Sequence, residues 1–218
     1  MSDIVKSAEN NEVILKIIRD SDSFETPRDW DNLGHMICWH NRYNLGDKHN
    51  YSDPRSFLEY IAEDYIECHD NIESMDDERL MDVIKENAVV LPLYLYDHSG
   101  ITMNTVGFSS RWDSGQVGWI YVTHDEITQE YGVLNEDNIR KAKDVLESEV
   151  KTYDQYLTGD IYGYTLERKV DCDSCGRIEL KDIDSCWGFY GLDYLEEELR
   201  HMYNEKFNGL VDNLRWAY

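Results

Sequence analysis

The side chains with the most chemical promise are Asp97 and His98, then His124 and Asp125, two Asp/His pairs about 25 residues apart. Brought together with Asp31 or His35, they would make a general acid-base site or hold a hydrolytic metal. A single C-x-x-C, Cys172 and Cys175, is half of a zinc set, and Cys186 with a histidine would have to complete it. His35, Cys38 and His40 stand close in sequence, but alternation on a strand sends His35 to the face opposite the other two. A hairpin turn explains Cys172–Cys175, and packed or capped histidines explain the second cluster, so neither cluster requires a metal. The chain lacks G-x-S-x-G, a P-loop, G-x-G-x-x-G and H-E-x-x-H. No catalytic residue, metal or cofactor is therefore assigned.

A different kind of chemistry is concentrated between Asp53 and Glu86. Asp53 and Pro54 read as N-cap and first helical residue, and Phe57, Leu58, Ile61, Tyr65 and Cys68 recur at helical spacing. At 100° per residue, Glu59, Glu63, Glu67 and Asp70 fall on the opposite arc, with Asp64 at its border. Five carboxylates over residues 59–70 would span a rise of about 16 Å, one per ~3.3 Å, against ~3.4 Å per phosphate along a DNA strand. No lysine is interleaved, although like charges at i,i+4 destabilise a helix by about 0.2–0.5 kcal/mol each. Glu73 follows, and Ser74 reads as a second N-cap with Asp76, Asp77 and Glu78 in the first turn, where carboxylates suit the helix dipole.

The elements that must carry these groups follow from pattern and punctuation. Residues 1–12 are polar and read as a flexible start to a single domain, and Val13–Ile18 reads as a buried strand. The aromatic stretch from Asp31 to Asp47 reads as a strand or turn feeding a structured loop. Ala88–Tyr96 and Val117–Val122 are expected to pair as an antiparallel hairpin with a long loop, Pro92 requiring an edge or bulge. Thr123 with Glu126 makes a capping box for a short helix ending near Gly132. Asn135 opens a longer helix with an Ile139, Ala142, Leu146, Val150, Tyr153, Leu157 stripe, closed by Gly159. Ile161–Val170 and Arg177–Ile183 read as strands, then a loop with Trp187 and Tyr190, then a last acidic helix. The fold class is α+β, a mixed, mostly antiparallel sheet covered by helices, with a strongly acidic surface.

Composition narrows the partner. The chain has 218 residues and a net charge of −24. A compact body of that length is about 40–45 Å across, and duplex DNA of equal length carries a similar charge at ~1.7 Å each. Such a chain does not bind nucleic acid directly through its bulk field and is drawn to basic surfaces; solubility alone is the competing explanation of the acidity. The start, MSDIVKSAENNEV, carries no basic-then-apolar signal and no apolar run approaches a membrane span, so a cytoplasmic location with no membrane partner is expected. Five cysteines fit reduced thiols there. Sixteen tyrosines and six tryptophans suggest surface anchors, Trp187 and Tyr190 among them.

Three pieces, DNLGHMICWHNRYNLGD, PLYLYDHSGITMNT with WDSGQVGWIYVT, and YDQYLTGDIYGY with SCWGFYG, together resemble a group of acidic proteins carried by bacteriophages and other mobile elements. The similarity spans most of residues 27–191 and implies a setting, action inside a bacterial host cell, while bringing no catalytic residues. In that setting a very acidic protein is similar in kind to DNA mimics that block restriction enzymes or CRISPR effectors. The expected function is therefore inhibition of a basic, nucleic-acid-binding host defence protein, through Glu59, Glu63, Asp64, Glu67, Asp70, Glu73, Asp76 and Asp77, anchored by Trp187 and Tyr190. Self-association stays open. The alternative is a small enzyme acting on a nucleotide or signalling metabolite through Asp97, His98 and His124.

Overall fold

The structure, a computed structural model, describes residues 4–22, 25–66, 72–110, 112–172 and 175–217. In chain order the first elements are β1 (Ile4–Glu9), β2 (Val13–Arg19), β3 (His35–Cys38), α1 (Pro54–Glu63), α2 (Asp77–Asn87), β4 (Ala88–Asp97) and β5 (Ile101–Asn104). They continue with β6 (Ser114–Thr123), α3 (His124–Tyr131), α4 (Glu136–Thr158), β7 (Ile161–Asp171), β8 (Ile178–Tyr190), α5 (Leu192–Tyr203) and β9 (Arg215–Trp216). The class is α+β, with the strands in two antiparallel sheets rather than one. Internal contacts divide the chain into two compact units, residues 26–154 and residues 1–25 with 155–218.

In the second of these units the strand order is β8-β7-β2-β1-β9. Within the stretch expected to be a flexible start, Ile4–Glu9 form strand β1, held between β2 and β9. Val13, Leu15 and Ile17 alternate onto the face that buries Tyr162, Tyr164 and Leu166 against Leu195 and Leu199 of α5. β8 runs on through Ser185–Tyr190, where a loop is expected, because β7 supplies hydrogen-bonding partners as far as Ile161.

The unit of residues 26–154 holds the four-stranded sheet β3-β6-β4-β5. One face is covered by α1 and α2, whose Phe57, Leu58, Ile61, Leu80, Val83 and Ile84 pack on Ile37 and Tyr121. The other receives α4: a Cβ on Gly34, at the entry to β3, would collide with Leu146. Pro92 takes the expected position. β5 pairs only with Tyr94–Asp97, so Ala88–Leu93 is bonded on the β6 side alone, and a bulge follows at Leu93/Tyr94.

Arg28 fastens the loop between β3 and α1. Its side chain is 3% exposed and forks onto Asp47 at 2.7 and 3.0 Å while reaching Glu149 at 2.8 Å and the Gly34 carbonyl at 2.6 Å. Asp47 also accepts the Met36 amide, and Glu149 accepts the Leu33 and Gly34 amides. Gly46 (φ +70°) turns the chain where a Cβ would strike the Met36 carbonyl. Within the Asp31–Asp47 motif, Leu33, Gly34, Met36 and Asp47 thus serve a buried ionic clasp. None of the described helices is long and apolar enough to cross a membrane.

Candidate functional site

The proposed acidic helix is shorter than its pattern. Asp53 caps α1 in a full capping box with Ser56, but the helix ends at Glu63 with Asp64 as its C-cap. No basic residue occupies the last turn, where carboxylates oppose the helix dipole, and this accounts for the early stop. Glu67 and Asp70 lie outside the described residues. The second cap is also displaced. Ser74 belongs to a short 3-10 turn, Ile72–Ser74, and Asp76 caps α2 by accepting the Arg79 amide at 2.8 Å.

Two of the expected acids are neutralised by an arginine in the first turn of α1. Arg55 reaches Glu59 at 2.6 Å and Asp77 at 2.8 Å, tying α1 to α2. The remaining carboxylates keep an outward face: Glu63, Asp64, Asp76, Glu78, Asp82 and Glu86 are exposed and form no ion pair among the described residues. Glu73 is exposed beside them. From Asp53 to Glu86 the chain carries twelve carboxylates and three basic residues. A groove of about 360 Å³ adjoins this face, where Met81, Val90, Pro92 and Trp119 meet the charged side chains of Asp77, Glu78 and Lys85.

Trp187 and Tyr190 belong to the other unit. Trp187 is 48% exposed and lies over Gly163, where a Cβ would meet its ring. Tyr190 is half-buried and donates to the Glu25 carbonyl at 3.3 Å. Both belong to β8, paired with β7.

The Asp/His set does not converge. Thr123, just before His124, pairs with Ala88, while Asp97 closes the same strand nine residues on, about 30 Å away along an extended chain. Asp97 binds Arg42 at 3.0 Å, and His98 stands 3.9 Å from Asp113. What does meet is His35 and Glu126, 2.6 Å apart, in a cleft of about 560 Å³ that Asp31 and Glu130 also line. Glu126 is the capping-box residue of α3, so Thr123 holds its other oxygen. Burial works against ionisation of Glu126, yet the bonds from His35 and Thr123 prevail and hold its carboxyl at about 2. The same contact raises His35 above its ordinary value. Glu126 was legible as a cap, and its pairing with His35 was not, because that contact depends on the β3-β6 register.

Cys38 is buried and its thiol is pushed up to about 12, mainly by desolvation. The Gly176 amide donates to the Cys172 carbonyl, and the Cys172 amide to the Arg177 carbonyl, where β7 meets β8. Among the described residues no three His, Cys, Asp or Glu side chains are grouped to hold a metal ion. No protein-family model, curated protein or solved structure matches this chain.

Proposed function

We propose that this protein is a phage- or mobile-element-encoded inhibitor that offers carboxylates in place of phosphates to the nucleic-acid channel of a bacterial defence protein, a restriction enzyme or CRISPR effector. The observation that carries the reading is the α1-α2 face, where exposed carboxylates without an ion pair among the described residues stand on helices whose apolar sides are fixed to a sheet. Rigid placement matters, because an anionic surface that is already ordered loses little entropy when a cationic groove closes on it. The resemblance to mobile-element proteins supports the bacterial setting.

The test is capture from a bacterial host lysate on the immobilised chain, followed by competition between the chain and duplex DNA for the purified partner. Capture of a DNA-binding defence protein, displaced by DNA and lost on Glu63→Lys with Asp64→Lys but retained on Asp144→Lys with Glu147→Lys, is the expected result. Equal loss in both pairs would reduce the acidity to a solubility device.

The second reading, an enzyme on a nucleotide or signalling metabolite, moves from Asp97, His98 and His124 to the His35–Glu126 cleft. It is favoured by one feature, a histidine oriented by a fixed carboxylate at the wall of a cleft. Turnover abolished by His35→Ala with partner capture intact would select it.

A further inference from the structure

Charge by itself gives association that fades with salt, since the screening length is ~8 Å at physiological ionic strength. Persistence then requires apolar contact. Trp187 and Tyr190 sit in the other unit. The groove beside α2 is where the acidic unit itself can supply that contact. Met81, Val90 and Trp119 are partly buried and packed onto the core that holds Phe57, Leu80 and Ile84, so the groove has a firm backing. Its volume, about 360 Å³, is at the low end of the ~300–1,000 Å³ of ligand pockets and suits one or two large side chains.

The surroundings define the visitor. Asp77, Glu78 and Lys85 line the groove, with Asp77 held by Arg55, while the enclosing segment, residues 53–86, has a fourfold excess of acids over bases. Cationic neighbours are therefore favoured on either side of whatever enters. Pro92 removes a backbone donor from the open stretch of β4, which disfavours docking by addition of a strand and leaves insertion of a side chain.

We propose that this groove seats an apolar side chain carried by a lysine- or arginine-rich segment of the protein that the acidic helix pair meets. The inference rests on the function proposed above. Two fluorescein-labelled peptides of equal charge serve as probes, one with Lys and Leu at helical spacing and one with each Leu replaced by Ser. Both are titrated into the full chain at about 50 and 500 mM NaCl. The leucine peptide should bind about tenfold or more tighter and keep that advantage at the higher salt, as burial of a leucine predicts. Met81→Gln with Val90→Thr should cut the advantage to less than about threefold while leaving the serine peptide unaffected. Met81→Gln alone, at a half-exposed position, replaces the pair if the pair fails to fold. Equal affinity of the two peptides, or an advantage that survives the substitutions, overturns the groove. If the serine peptide still binds through Glu63 and Asp64, the acidic face stands without the groove; if neither peptide binds at low salt, both inferences fall.

Discussion

Arg28 shows how much one residue type can decide. Its guanidinium is withdrawn from water and satisfied by Asp47, Glu149 and the Gly34 carbonyl at once, a pattern for which lysine has no equivalent fork. Arg28→Met should lower the free energy of unfolding by about 3–5 kcal/mol, because it strands two carboxylates that the fold keeps largely from solvent. A urea titration measures this, and Arg28→Lys should recover only part of the loss. His35 gives a milder, pH-dependent effect. Its folded value is raised, so its contribution is complete below ~6.5 and disappears as pH rises through the raised value. Glu126 is depressed to about 2, so its own contribution persists above its ordinary value and is lost only on strong acidification. Between those limits the pair is intact. An NMR titration should find His35 above its ordinary value in the native chain and lower it in Glu126→Gln; an identical curve in both would remove Glu126 as the cause.

Elements were legible where local chemistry closes on itself. The N-cap at Asp53, the capping box at Thr123, the Gly132 C-cap at φ 82° and the Asn135 bond to the Asn138 amide are all written in neighbouring residues, and the structure has each of them. What could not be read depends on partners far along the chain. β1 needs β2 and β9, the second half of β8 needs β7, and the short β5 needs the end of β4. The truncated α1 is instructive in another way, since the apolar spacing continues to Cys68 but carboxylates at the C-terminal end resist extension. Arg55 carries the corresponding prediction. By tying Glu59 and Asp77 it subtracts charge from the face, so Arg55→Ala should strengthen low-salt binding of the serine peptide while Glu63→Lys weakens it. Weakening by both substitutions would mean that Arg55 serves to position the helices rather than to mask their charge.

At the scale of the molecule, the excess of acid is divided between the two units. Residues 26–154 carry 26 acidic and 11 basic residues, and the other unit carries 19 and 10, roughly in proportion to length. A general solubility role would produce that balance, so the distinctive feature is the local maximum over residues 53–86. Self-repulsion offers a way to weigh the two. Screening shortens from ~30 Å at 0.01 M to ~3 Å at 1 M salt, so added NaCl should raise the melting temperature of so unbalanced a chain. If charge is functionally crowded on α1 and α2, neutralising Glu63, Asp82 and Glu86 to their amides should raise the low-salt melting temperature more than the same change at Glu130, Asp144 and Glu147. Lys143 already offsets Glu147 at 3.7 Å, which adds to the expected contrast. The difference should vanish at high salt, because only the Coulomb part is screened. Equal gains at both sets would mean that repulsion is shared evenly, and the helix pair would lose its claim to store charge for a partner.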